Sequence, residues 1–227
     1  RLASADSVFA GVGPASRTAL VGRAEIARRR GDRSGSLRLA QEVIRAYTQR
    51  SSEWSAADRV AAGRAYLLMG GDAATVRSAL AAFDAAAKAD PADPDPSLRV
   101  ADLFLEKYNA PDAEAEYQSV LQRDSTNARA RLGLAKVMAF LGDGKALAAA
   151  RGALRSNPKL VPAELLVARL HLEAEAYDSA AAAVARALAV DSSAIAAWAT
   201  RAAIAWLRAD TTGWRAAERR ALAIDPS

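Results

Sequence analysis

The stretch "AYDSAAAAVARALAVDSS" (176–193) is nearly half alanine, and its small residues are placed rather than scattered. Ala180, Val184 and Ala187 stand at i, i+4 and i+7, one face of an α-helix, with Arg186 off that face. Small side chains on one stripe remove the bulk that would hold a second helix away. The same stripe recurs upstream as Ala146–Ala150–Ala153, Ala113–Tyr117–Val120, Ala79–Phe83–Ala86 and Ser36–Ala40–Val43. Pro or Ser follows five residues after the last member at Pro91, Ser125, Pro158 and Ser192, with Pro226 in the same phase, so the period is 33 to 34 residues. A second amphipathic stretch precedes each stripe and ends on a turn signal, as in "RVAAGRAYLLMGGD" (59–72) and "RLGLAKVMAFLGD" (131–143). That period and pairing are the signature of stacked helix–turn–helix units.

These residues resemble the tetratricopeptide repeat (TPR) family, whose pattern is W-x2-L-G-x2-Y, then A-x3-F, then P. Trp198 and Ala202 stand in its slots in the last unit, closed by Pro226; Ala62, Gly63, Tyr66, Ala79, Phe83 and Pro91 do so in the second. Leu134, Ala135, Ala146, Ala153 and Pro158 match in the fourth, while Arg201, Trp214 and Glu218 break the pattern in the sixth. The resemblance implies an all-α fold, a right-handed α-solenoid of antiparallel helix pairs. Residues 1–16 are expected to be an N-terminal extension or a partial helix, over 3–9, and six units are expected to follow at about 17–50, 56–93, 94–127, 128–160, 161–194 and 195–227. The second unit is four residues long in "GGDAATVRSAL", an excess expected in the loop between its helices; the fourth is one residue short at "GDGKAL".

Composition agrees. Hydrophobic residues are 52% of the chain but aromatics only 6%, because alanine, the best helix former, supplies much of the apolar count. No uninterrupted apolar run of about 18 residues predicts a membrane span. A first residue other than Met suits a processed or excised chain; absent cysteines suit an extracytoplasmic protein and an arginine-rich cytoplasmic one equally, with a periplasmic setting weighed above the cytoplasm. The net charge of +5 comes from 31 basic and 26 acidic residues spread round the helices. Its densest cluster, "IARRRGDR" (26–33), is expected at a helix end, where cations complement the macrodipole and no aromatic platform favours nucleic acid.

Sites of chemistry are missing where motifs would need them. With one histidine, His171, and no cysteine, zinc-finger, thiol and H-E-x-x-H chemistry are ruled out, and "HLE" (171–173) lacks the P-C-x-x-C half of a deaminase site. His171 takes the family's tyrosine slot, a packing position. "GDGKAL" (142–147) has Ala146 where a phosphate loop needs Ser or Thr, and "GVG" (11–13) lacks a strand before it and a third glycine. "DPADPDP" (90–96) lacks an EF-hand's glycine and closing glutamate; its prolines stop one helix, and Asp93 or Asp95 caps the next. Serines without a histidine partner make no triad. No catalytic residue, cofactor or metal site is assigned.

The resemblance instead implies a non-catalytic scaffold that grips a partner peptide or helix on its concave, first-helix face. Family geometry puts Glu25, Arg28, Arg29, Arg64, Leu67, Asp102, Leu105, Lys136, Phe140, Arg169, Leu172 and Trp206 there. Arg64, Lys136 and Arg169 share one slot beside an apolar strip, which suits an acidic, partly apolar protein segment. The competing reading is that the leucines pack between units and the cations pair with Glu25, Asp102 and Glu173. Asn occurs only at 109, 127 and 157, near helix ends, so the chaperone-tail clamp of lysines and asparagines is not present. "RRALAIDPS" (219–227) brings Leu222 and Ile224 to the end of the last unit. Continuation into more chain, self-association through uncapped terminal units, or a role beside a missing enzymatic part are the alternatives it raises.

Overall fold

The computed structural model describes residues 16–50 and 53–224, so the partial helix expected over 3–9 and the closing Pro226 lie outside the described residues. Those described hold twelve α-helices and no strand: α1 Arg17–Arg29, α2 Arg33–Arg50, α3 Ala56–Met69, α4 Ala73–Ala89, α5 Asp95–Glu106, α6 Ala110–Arg123, α7 Ala128–Phe140, α8 Ala146–Ser156, α9 Val161–Glu173, α10 Tyr177–Val190, α11 Ile195–Leu207 and α12 Thr211–Ile224. The chain divides into two compact units, one ending at Val100 and the other beginning at Ala101. In the first, α2 packs on α1 and α3, and α3 on α4. In the second, each helix from α6 to α11 packs on the next, and α9 also touches α7 and α11.

Each unit has its own core. The first is built on Val21, Ala40, Val43, Trp54, Ala62 and Ala82; the second on Leu132, Ala150, Val167, Ala180, Val184 and Ile204. All fifteen stripe residues, from Ser36 to Ala187, are buried. Close approach is most visible at two glycines of first helices, each facing an aromatic stripe member. A Cβ on Gly63 of α3 would lie 2.3 Å from the Phe83 ring of α4, and one on Gly133 of α7 would lie 2.2 Å from the Tyr117 ring of α6. The aromatic stripe member therefore lies directly on a helix backbone.

Turns recur with the same period. First helices other than α3 close on a left-handed residue: Gly31 (φ 80°), Tyr108 (61°), Gly142 (71°), Glu175 (55°) and Ala209 (56°). The next amide then donates to a carbonyl five residues back, as from Asn109 to Phe104 (2.9 Å), Asp143 to Met138 (2.8 Å) and Ala176 to His171 (2.8 Å), a Schellman closure. At three of these turns the residue carrying that amide also caps the following helix. Asp32 accepts from Gly35 (2.8 Å), Asn109 from Asp112 (3.4 Å) and Asp210 from Gly213 (2.8 Å). Second helices end on Asp90, Asp124, Asn157 and Asp191, whose side chains accept from Ala92, Thr126, Lys159 and Ser193 two residues on. In the acidic linker Asp93 accepts from the Asp95 amide at 2.9 Å, and Asp95 pairs with Arg99 at 2.6 Å.

The turn at 175–176 lacks both devices: Glu175 is left-handed without being glycine, and Ala176 gives α10 no side-chain cap. Glu175→Gly and Ala176→Asp should each add about 1 kcal/mol, by relieving left-handed strain and by capping. Urea unfolding of the double variant should show a higher midpoint at unchanged slope.

The four extra residues of the second unit correct the sequence expectation. They do not bulge into a loop; "AATVRSAL" is helical from Ala73, and α4 runs 17 residues against 14 in α6, α10 and α12. One added turn is about 3.6 residues, so the insertion returns the stripe to the same face. The missing residue at "GDGKAL" instead shortens a helix. Ala146 N bonds Asp143 O at 3.0 Å, and α8 begins only there, with 11 residues.

Candidate functional site

In the first unit the expected surface residues Arg28, Arg29, Arg64 and Leu67 lie on α1 and α3. Arg64 makes a two-point ion pair with Glu25, Nε to Oε1 at 2.9 Å and Nη2 to Oε2 at 2.6 Å. Arg28 donates to the Leu68 carbonyl at 2.9 Å, Arg29 is exposed, and Leu67 is half-buried. Arg64 and Arg28 thus tie α1 to α3.

The second unit gathers Leu105, Lys136, Phe140 and Arg169 with Pro162, Leu165 and Leu166 around one open depression of about 390 Å³. These side chains come from α5, α7 and α9, successive first helices, which is why residues 31 to 35 apart in sequence meet. Phe140, 46% exposed, is tilted against Tyr108, 79% exposed, with ring centroids 5.9 Å apart. Tyr108 was missed in the sequence because it occupies the turn; its left-handed backbone lifts the ring out beside Phe140.

Asp102 serves two neighbours here. It accepts from the Tyr117 hydroxyl at 2.7 Å and faces Lys136 Nζ at 3.6 Å. Arg169 faces Glu173 at 3.6 Å, one turn along α9. All three cation pairings anticipated from sequence are therefore present, but they are unequal. The Lys136 and Arg169 pairs are long and solvated on both sides, and such pairs contribute about 0–1 kcal/mol. Either cation can turn to an incoming carboxylate at little cost, whereas Arg64 would surrender a bidentate pair.

Burial, and then the Asp102 charge, pushes the Tyr117 phenol well above its ordinary value. The folded state thus keeps a proton that the unfolded chain releases near pH 10, and stability from this group is complete below pH 10 and falls as pH rises beyond it. Melting temperatures taken from pH 8 to 11.5 should fall more steeply for the native chain than for Tyr117→Phe. Parallel curves would contradict this.

The other expected residues stand apart. Leu172 is half-buried and packs against the core. Trp206, 65% exposed, meets Trp214 edge-on across the α11–α12 turn at 5.6 Å and does not line the depression. His171 is half-buried with Nε2 3.4 Å from Arg151; burial, then Arg151 and Arg186, hold its pKa below the ordinary value. Among the described residues no group of three or more His, Cys, Asp or Glu could hold a metal ion. No described helix is long and apolar enough to cross a membrane.

Comparison with solved structures shows the tetratricopeptide-repeat fold. A tetratricopeptide repeat protein from Parabacteroides merdae superposes with a TM-score of 0.68 at 15% identity, over 98% of this chain and 86% of its own. A thermophilic TPR protein of Thermus thermophilus gives 0.65 at 18% identity, over 76% and 93%. A chain of the APC/C hetero-tetramer Cut9–Hcn1 gives 0.65 at 14% identity over all of this chain, which spans only 43% of that one. No family model and no curated protein matches the sequence.

Proposed function

We propose that this chain is a non-catalytic protein-interaction scaffold of six helix-pair units, about 17–50, 56–93, 94–127, 128–160, 161–194 and 195–227. On this reading its second compact unit grips an acidic, partly apolar segment of a partner protein across α5, α7 and α9. The observation that carries the reading is the depression itself. An open apolar floor lined by Phe140, against whose ring Tyr108 lies, is flanked by two cations held only by loose, solvated pairs. Apolar burial supplies most of the affinity and the flanking charge selects the approach. Packed first helices lie about 10 Å apart, so carboxylates about three residues apart in an extended segment would reach Lys136 and Arg169. The membership of a TPR chain in the Cut9–Hcn1 hetero-tetramer supports the use of this fold in protein assembly.

Self-assembly by stacking on α12 is less favoured. The slots held by Ala180 and Val184 in α10 carry Trp214 and Glu218 in α12, so a stacked copy would bury a carboxylate.

Selection of a displayed random 12-residue peptide library on the chain should enrich sequences with acidic residues around an apolar one. Their fluorescence-anisotropy affinities should fall at least tenfold on Phe140→Asp and on Lys136→Glu with Arg169→Glu. Arg64→Ala should leave them unchanged. Peptides without that composition, or ones bound equally by the variants, would overturn the assignment.

A further inference from the structure

A second depression, of about 510 Å³, lies among α10, α11 and α12, wholly within the second unit. Trp198, Arg201, Arg208, Arg219 and Arg220 line it, with Asp210 its one acid. Asp210 is already engaged, capping α12 through the Gly213 amide at 2.8 Å. Arg208 pairs with Asp178, whose side chain is fully exposed, a contact that solvent leaves weak. The Arg201 guanidinium lies 5.5 Å from the centre of the Trp198 ring, which lines it up over an aromatic face. Among the described residues Arg219 and Arg220 make no ion pair.

The preceding helix pair shows what this place was shaped to hold. Helices α9 and α11 start 34 residues apart, at Val161 and Ile195, and so do α10 and α12, at Tyr177 and Thr211. Arg220 is therefore the equivalent of Arg186, and Trp198 of Glu164. In the α9–α10 pair, Arg186 holds Glu164 with two bonds, Nε to Oε1 at 2.7 Å and Nη2 to Oε2 at 2.9 Å. In the α11–α12 pair the arginine is kept and its carboxylate is replaced by tryptophan. The cation remains and its internal anion does not, while Arg201 and Arg219 add charge of the same sign.

We propose that this depression is a second recognition site, which takes carboxylates of an acidic segment of a partner protein. The chemistry follows from the equivalent pair, where the same arginine position grips a carboxylate in fork geometry. Trp198 supplies an apolar wall for the segment's aliphatic stems. The site is separate from the depression at Phe140 and stands or falls without it.

The probe is fluorescein-labelled decaglutamate, with decaglutamine as reference, measured by anisotropy in 150 mM salt on the whole chain. Decaglutamate should bind and decaglutamine should not. Arg201→Ala with Arg220→Ala should weaken binding at least tenfold, while Arg155→Ala with Lys159→Ala, an equal loss of charge elsewhere in the unit, should change it less than twofold. Trp198→Glu puts back the carboxylate of the equivalent pair; it should fill the site from within and weaken decaglutamate at least tenfold while the melting temperature holds or rises. Equal losses in both double-alanine variants would reduce the site to a diffuse field and overturn the proposal. So would tight binding of a ten-residue oligothymidylate with none of decaglutamate, which would make the site one for phosphate.

Discussion

Gly133→Ala should lower the stability of the chain by about 3 kcal/mol, although alanine is the better helix former by about 1 kcal/mol. The new methyl would stand 2.2 Å from Cε1 of Tyr117. That ring has no room to withdraw, because Tyr117 is buried and its hydroxyl is fixed to Asp102 at 2.7 Å. Relief requires moving the ring by more than an ångström, which breaks a hydrogen bond to a charged acceptor, worth about 1.5–3 kcal/mol, and opens α6 from α7. Gly152→Ala is the matching control. Its Cβ would meet only the end of the Arg155 side chain, at 3.4 Å, in the middle of α8. There the intrinsic preference is unopposed, and a gain of about 0.5–1 kcal/mol is expected. Chemical unfolding of the two variants should therefore shift in opposite directions. A gain in both variants would mean that helix propensity, not helix approach, governs these glycines.

Arg186→Ala should cost about 3 kcal/mol, and Glu164→Ala distinctly less. The two partners occupy unlike places: Glu164 is 5% exposed at the α9–α10 interface, while the Arg186 side chain is about half in water. Removing the arginine strands a carboxylate in a dry contact, and breaking a buried pair in that direction costs about 3–5 kcal/mol. Removing the glutamate frees a guanidinium that swings into solvent, so the loss is limited to the pair and some packing. Glu164→Gln with Arg186→Ala should recover part of the loss, since the amide carries no charge to leave unpaired. If the two single alanine variants were equally destabilised, the burial asymmetry would have no energetic weight.

The repeat and the helix class were legible because they rest on local spacing. Fifteen stripe positions read from i, i+4, i+7 periodicity are all buried. The "GD" turn signal at 142–143 became a left-handed closure, with Asp143 accepting from the Lys145 amide ahead of α8. The Asp or Asn ahead of each Pro or Ser slot, at Asp90, Asp124, Asn157 and Asp191, was equally periodic and went unused, though its side chain is what shapes the turn. The extra length near residue 73 could not be placed from sequence, since a loop and one more helical turn keep the stripe in phase alike.

Contacts between helices were less accessible. That Gly133 meets Tyr117 across successive pairs, while Gly63 meets Phe83 within one, depends on how far each helix slides along the next. Tyr108 was invisible as a surface residue because turn position, not face, turns its ring outward. The three cations of one repeat slot were legible in the sequence, but their inequality rests on their partners' distances and exposure. Small stripes thus bring helices together, short turns keep their first helices in step, and the proposed function places a partner's side chains on the surface left between those helices.

The most direct test of this account is a ¹H–¹⁵N titration of the chain with the tightest peptide from the library selection. The account predicts that the largest shift changes fall on Leu105, Tyr108, Phe140, Leu165 and Arg169, with the α1–α3 residues Arg28 and Arg64 unmoved. Changes concentrated at Arg28 and Arg64 and absent at Phe140 would contradict it.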